Sequence, residues 1–241
     1  MLMKRILLIF LVILWFTSCQ ESLLEDSISE VSTESELNLL RPSGTKYYAI
    51  IAPTSPLTPM QKQYLLECLY SLEMKYPELD AVISNIMQNR GALMFKMNSK
   101  LSSYAAYDFS SIEFQSDIFI EDELVLEEIL HVAQDINYGY EVMRYATKNI
   151  EFEARVLRDI WELRRAQREH SPTWYPRAFE KFGEYNAWLV SLSCGNLFFL
   201  GVPKFNEYVQ KWNDPLYERY NLPFYPDFNP SFLKSFVGDS L

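Results

Sequence analysis

The spacing of apolar residues changes character about halfway along the chain. Three early segments rich in β-branched and aromatic residues predict strands, namely KYYAIIA at 46–52, GALMFKM at 91–97 and SSIEFQSDIFI at 110–120. The tract SKLSSYAAYDF connects the last two of them.

Apolar residues that recur every three or four positions predict helices elsewhere. Thr58 and Pro59 predict a helix start, with a capping threonine and a proline at the first helical position. Further helices are predicted at 79–87, 121–136, from the N-cap Asn149 to about 170, and at 177–194, with NYGY at 137–140 as a turn. The proline- and aromatic-rich tail, 203–236, predicts short helices and wrapping coil. Early strands followed by a helical half indicate an α+β fold.

The first nineteen residues have the pattern of a targeting signal. Lys4 and Arg5 precede an apolar run, Ile6 to Phe16, which is short for a membrane span. The run ends at Thr17, Ser18 and Cys19, and this arrangement resembles a bacterial lipoprotein signal in which Cys19 is acylated. A plain secretory signal is the alternative. The resemblance implies a protein of the cell envelope, an outer-membrane lipoprotein that is periplasmic or surface-exposed, with the membrane as partner through its lipid.

Charge and composition divide the rest of the chain. Residues 1–18 are predicted to be the signal, 19–45 an acidic, serine-rich tether, and 46–241 the folded domain. Removal of Lys4 and Arg5 leaves 20 basic residues against 32 acidic ones, a net charge of about −12. This charge argues against nucleic acid as a partner, because phosphate binding needs a basic face. Cys68 and Cys194 could pair in an oxidising compartment.

The segment LEEILHVAQD at 126–135 carries the candidate chemistry. On a helix Glu127, Glu128 and His131 project together, because residues three and four apart share a face. The zinc-peptidase pattern His-Glu-x-x-His uses this geometry, with two ligands at i and i+4 and the Glu as general base. A third ligand must come from another element.

The segment NIEFEARVLRDI at 149–160 offers two carboxylates on different faces of the next helix. Glu151 lines up with Arg155 and Arg158, which predicts a solvated salt-bridge face. Glu153 lines up with the apolar stripe. A carboxylate in a buried stripe needs a partner, so Glu153 is the better candidate for an inward-facing ligand.

EEILHVAQD followed by NIEFEA resembles the zincin-type metallopeptidases whose third ligand is a glutamate. The resemblance implies a zincin-like α+β fold, in which a small mixed sheet precedes the motif helix and the helix with the downstream Glu. It implies that Glu128 is the general base, that His131 is a metal ligand, and that Glu153 is the third ligand, with Glu151 as a fallback. Glu127 stands where the first ligand histidine is expected.

Three interpretations of this departure remain open. In the first, Glu127, His131 and Glu153 bind a divalent metal, either zinc or, given the hard carboxylates, manganese or iron. In the second, the metal is lost and the domain is a degenerate peptidase or a peptide- or glycan-binding protein. The tail aromatics Tyr208, Trp212 and Phe228 could line a groove for such a ligand, but packing of the proline-rich C-terminal segment onto the helices is the favoured interpretation of these residues. In the third, the residues belong to an ordinary amphipathic helix.

Two further considerations bear on the metal. His170 cannot replace the missing histidine, because 17 residues of helix separate it from Glu153 by roughly 25 Å. A di-iron bundle would need a second Glu-x-x-His motif, and the chain has one. An arginine in the cluster would argue against a metal, whereas a space lined by His131 and carboxylates would favour one. The sequence therefore predicts a zincin-like lipoprotein with impaired or lost peptidase activity, or alternatively an active metal-dependent hydrolase.

Overall fold

The computed structural model describes residues 46–171, 183–213 and 221–238. The predicted signal, Cys19 and the tether lie outside these residues, as do the segment TWYP and the predicted start of the following helix at 177. All described residues belong to one compact unit, which spans Leu40–Leu241. None of the helices within the described ranges is long and apolar enough to cross a membrane.

The described elements are eight α-helices, three strands and three short 3-10 turns. In chain order the helices are α1 Pro59–Lys75, α2 Leu79–Asn89, α3 Asp122–Tyr138, α4 Tyr140–Tyr145, α5 Thr147–Arg168, α6 Gly183–Ser193, α7 Val202–Lys211 and α8 Ser231–Gly238. The strands are β1 Met94–Met97, β2 Ala105–Tyr107 and β3 Ser111–Phe114. The 3-10 turns are Lys46–Ile50, Asp117–Phe119 and Leu197–Phe199. The predicted α+β class is confirmed.

The sheet is small and mixed. Its strand order is β1-β3-β2, with β1 parallel and β2 antiparallel to the central β3. All four residues of β3 are buried, which a central strand covered on both faces requires. β2 lies within the tract that carried no element in the sequence, because its three residues are too few to form a pattern of their own.

The start of α1 is the one that the sequence predicts. The Thr58 side chain accepts a hydrogen bond from the backbone N–H of Gln61, and the Gln61 side chain accepts one from the backbone N–H of Thr58. This reciprocal pair is a capping box, which satisfies two amides that the first turn of a helix leaves without partners.

Helix α3, which carries the LEEILHVAQD motif, is the central helix of the unit. It contacts α1, α2, β2, α4, α5 and α8. Asp122 and Glu123 in its first turn suit the positive end of the helix dipole. Helix α3 ends at Gly139, whose φ of 77° and ψ of 164° favour glycine. The predicted turn NYGY is therefore reduced to this residue, and α4 begins directly after it.

Three predictions about local structure are wrong. SSIEFQSDIFI is a strand only over Ser111–Phe114, and Asp117–Phe119 within it form a 3-10 turn. KYYAIIA is not a strand: its first five residues form a 3-10 turn, and only Ile51 makes a bridge, to Leu93. Asn149 is not the cap of α5, which begins two residues earlier. The buried Asn149 side chain instead donates to Asn206 Oδ1 at 2.8 Å and to the Tyr225 carbonyl at 3.0 Å, and it accepts from the Tyr225 N–H at 2.9 Å. It therefore ties the start of α5 to the C-terminal segment.

The burial of the tail aromatics and the state of the two cysteines decide two further predictions. Tyr208, Trp212 and Phe228 are buried in the core, as the packing interpretation predicts, and of the three Tyr208 also borders a surface cleft, beside Trp188 and Phe198. Cys68 is buried, Cys194 is exposed, and both are free thiols, so the predicted option of a disulfide between them is wrong.

Candidate metal centre

The candidate centre lies where α3 packs against α5. Helix α3 brings Glu127, Glu128 and His131 to this contact, as the spacing of the motif predicts. Helix α5 contributes Glu151. One oxygen or nitrogen atom from each of Glu127, His131 and Glu151 lies within 4.8 Å of the other two. These three residues could therefore hold a metal ion.

Glu151 is the carboxylate next to the histidine. Its Oε2 lies 3.3 Å from His131 Nε2. Glu151, the fallback ligand in the sequence analysis, thus takes the place that was assigned to Glu153. The solvated salt-bridge face predicted for Glu151, Arg155 and Arg158 is wrong. Arg158 is buried, and both arginines pair with Glu127, because α5 packs this face against α3.

Glu127 is bound by two arginines from α5. Arg158, which is almost fully buried, donates from Nη1 to Glu127 Oε2. Arg155 Nη2 lies 3.6 Å from Glu127 Oε1. An arginine is always charged and has donors only, so both contacts place positive charge on the carboxylate that occupies the first-ligand position. This is the feature that, in the sequence analysis, argued against a metal.

Glu128 is the least satisfied member of the cluster. Its side chain is buried, and its Oε2 has no hydrogen-bond partner. The pKa of Glu128 is raised to about 8, mainly by burial; the charge of His131 opposes this shift, and the charges of Glu127 and Glu151 add to it. A buried polar atom without a partner is costly, so the space beside Glu128 suits a donor or a cation.

Glu153 lies outside this group and has its own donors. Its Oε1 accepts from the Tyr138 hydroxyl at 2.7 Å and from the backbone N–H of Leu233 at 3.0 Å. Its Oε2 accepts from Gln134 Nε2 at 2.8 Å. The sequence predicted correctly that Glu153 faces inward and needs partners. The partners come from α3 and from the first turn of α8, whose position no local pattern reveals. Burial raises the pKa of Glu153 to about 7, although its three donors act to lower it.

Gln134 is a residue of the site that the sequence analysis missed. It is fully buried, and its Oε1 lies 2.9 Å from His131 Nδ1. The available signal was its position three residues after the histidine on the same helix face.

His131 is buried and has a carboxylate on one side of its ring. Burial lowers the pKa of His131, but the charge of Glu151 and its hydrogen bond outweigh this effect and raise the pKa to about 10, with Glu128 and Glu127 contributing. Without a metal, His131 is therefore an imidazolium paired with Glu151. The other histidine, His170, is exposed just beyond the end of α5, away from the cluster.

No protein-family model, no curated protein and no solved structure matches this chain. The resemblance to the zincin-type peptidases thus rests on the residues of α3 and α5, and it stays a prediction.

Proposed function

We propose that this chain is a lipid-anchored protein of the cell envelope, attached to the outer membrane through Cys19, and that its domain is a zincin-like metallopeptidase domain with impaired or lost peptide hydrolysis. The observation that carries the proposal is the pairing of Glu127 with Arg158 and Arg155 at the position of the first metal-ligand histidine. The mixed sheet that precedes α3, and the carboxylate that α5 supplies, are consistent with the family resemblance.

The physical reason for the loss is competition between cations. A metal ion needs ligands with free lone pairs, and those of Glu127 are engaged by guanidinium groups. The same groups supply positive charge beside the carboxylates, which a divalent ion would otherwise supply. The guanidinium groups of Arg158 and Arg155 would repel a metal ion bound here, and this repulsion is stronger in a buried site than in water.

The metal content of the purified full-length protein tests this proposal. We expect zinc, manganese and iron to be far below one ion per chain, and we expect no cleavage of unstructured protein substrates. One metal ion per chain in the native protein, lost in His131→Ala, would overturn the proposed loss of the metal.

Restoring the missing ligand tests the resemblance itself. Glu127→His combined with Arg158→Leu rebuilds the pattern His-Glu-x-x-His with Glu151 close to His131 and removes the buried guanidinium that competes with a metal, so we expect this variant to gain about one zinc ion per chain. Glu127→Gln combined with Arg158→Leu is the matched control, since it removes the same charges without adding a ligand. If the folded histidine variant bound no more zinc than this control, α3 and α5 would not have the zincin-like arrangement.

A second candidate function, an active metal-dependent hydrolase, is favoured by the unpartnered Oε2 of Glu128 beside the group Glu127, His131 and Glu151. Two carboxylates and one imidazole make a hard ligand set that suits manganese or iron better than zinc. Glu128 would act as general base on a water molecule that such an ion activates.

This candidate predicts metal-dependent activity in the native chain. Hydrolysis should appear when Mn²⁺ or Fe²⁺ is supplied, and Glu128→Gln should abolish it while the metal stays bound. Native protein that takes up neither ion would exclude this second function and leave the first proposal in place.

A further inference from the structure

The orientation of the Gln134 side chain follows from the groups around it. Its Nε2 donates to the backbone carbonyl of Ile150 at 3.0 Å and to Glu153 Oε2 at 2.8 Å. A backbone carbonyl can only accept a hydrogen bond, so the end of the amide that faces Ile150 must be the NH₂ group. Gln134 is fully buried, and its Oε1 therefore points to His131 Nδ1, 2.9 Å away.

This orientation determines where a proton sits on His131. An amide oxygen can only accept, so the ring nitrogen that faces it must donate, and Nδ1 of His131 carries a proton. The other nitrogen, Nε2, faces Glu151 at 3.3 Å. Nδ1 of the imidazole thus donates to Gln134, whereas Nε2 faces the carboxylate of Glu151.

We infer that Gln134 is a positioning residue that keeps His131 in the form protonated on Nδ1, so that Nε2 is the ring nitrogen that faces the carboxylate of Glu151. The role is the same in both proposed functions. In the ion pair, a proton on Nε2 is donated to Glu151. With a metal, the lone pair of Nε2 is the ligand, and a hydrogen bond from the opposite nitrogen orients the ring.

Glu153 holds Gln134 in turn. Tyr138 and the Leu233 N–H occupy Oε1 of Glu153, while Oε2 accepts the amide of Gln134. The first turn of α8 therefore contributes to the orientation of His131 through two intervening side chains. Glu153, which the sequence predicted as a ligand, acts as a second positioning residue.

The histidine content makes the test simple. The chain has two histidines, so His170→Gln leaves His131 as the one that ¹⁵N-histidine labelling reports in the full-length protein. His170 lies outside the cluster, and this substitution serves only to simplify the spectrum. Glu151→Gln, added in a second sample, removes the carboxylate that favours the imidazolium and brings the neutral ring into an accessible pH range.

We expect the NMR titration to show that Nε2 loses its proton and that Nδ1 keeps its own. Gln134→Met removes the acceptor with little change in size, and the neutral ring should then become a mixture of both tautomers. Leu130→Met, another buried position of α3, is the matched control and should leave the imidazole signals unchanged.

Two results would contradict the inference. One is a neutral His131 with a bare Nδ1 when Gln134 is intact, and this measurement needs no substitution at Gln134, so it decides even if Gln134→Met does not fold. The other is a folded Gln134→Met protein that keeps only the form protonated on Nδ1. Neither result depends on the metal content, so the failure of this inference is distinguishable from the failure of the proposed function.

Discussion

Among single residues, Glu127 has the largest influence on the chemistry of the centre. A histidine at this position would leave Arg158 buried without its carboxylate, whereas Glu127 gives that guanidinium a charged partner. The ion pair and the metal site are therefore alternatives at the same position. The position holds the ion pair or the metal according to which cation, the Arg158 guanidinium or the metal ion, gains more free energy from binding the residue at 127.

Arg158→Leu should destabilise the protein by about 3 kcal/mol, because it removes the hydrogen-bonded cation and leaves the largely buried Glu127 with only the more distant Arg155. Chemical denaturation of the metal-free protein measures this loss. Arg144→Leu, an exposed position on α4, is the control and should change the free energy of unfolding by less than about 0.5 kcal/mol.

The double variant Arg158→Leu with Glu127→Leu should recover most of the loss, since both charges are then absent. If Arg158→Leu alone were neutral, Arg155 would be sufficient to balance Glu127, and the buried pair would have little effect on stability.

Among the secondary-structure elements, the sequence correctly predicted those whose formation depends on residues close together in the chain. The capping box of α1 and the long apolar periodicity of α3 and α5 need no distant partner, and these helices are present. Whether KYYAIIA and the tract containing β2 form strands depends on pairing with distant segments, which the sequence does not specify. β2 pairs with β3, whereas KYYAIIA makes only the bridge from Ile51 to Leu93.

The sequence favoured Glu153 over Glu151 as the carboxylate beside His131, and the reason for this difference from the structure is similar. Both lie on α5, and the apolar stripe favoured Glu153. The stripe, however, is covered by α8, whose backbone supplies a donor to Glu153. The position of α8, some 80 residues further along the chain, is therefore what distinguishes Glu153 from the metal-ligand candidate Glu151.

Gly139 separates α3 from α4, and its backbone conformation makes this element boundary sensitive to substitution. Its φ of 77° with ψ of 164° lies in a region that residues with a Cβ rarely adopt. Gly139→Ala should reduce the free energy of unfolding by about 1–3 kcal/mol, measured by urea denaturation.

Gly201→Ala is the matched control for Gly139. Its φ of −74° is ordinary, and an added Cβ would meet only Pro203 Cδ at 3.8 Å. We expect a change close to zero. A tolerated alanine at position 139 would mean that α3 and α4 join as one continuous helix without cost.

At the scale of the whole molecule, the buried cluster makes stability depend on pH. The pKa of Glu128 is raised to about 8, and that of His131 to about 10. A group with a raised pKa binds more protons in the folded chain than in the unfolded one, so its contribution is complete below the unfolded pKa and is lost as the pH rises through the folded pKa.

We therefore expect the free energy of unfolding of the metal-free protein to fall as the pH rises from about 5 to about 10, by up to about 1.4 kcal/mol per pH unit for each group. Urea denaturation at several pH values measures the slope. Glu128→Gln should make the decline between about pH 5 and pH 8 shallower, while Glu153, whose pKa is raised to about 7, and His131 keep their contributions. Stability that increases over this range would show that the cluster is ionised differently.

The two cysteines of the described domain lie in contrasting environments. This contrast allows thiol labelling to show on which side of the membrane the domain lies. Burial, with the nearby charge of Asp122, raises the pKa of Cys68 to about 12, which makes that thiol inert. Cys194 is exposed, and an acylated Cys19 would offer no thiol. A membrane-impermeant maleimide should then label intact cells if the domain faces the medium, and only permeabilised cells if it faces the periplasm. Cys194→Ser should abolish the labelling in both cases.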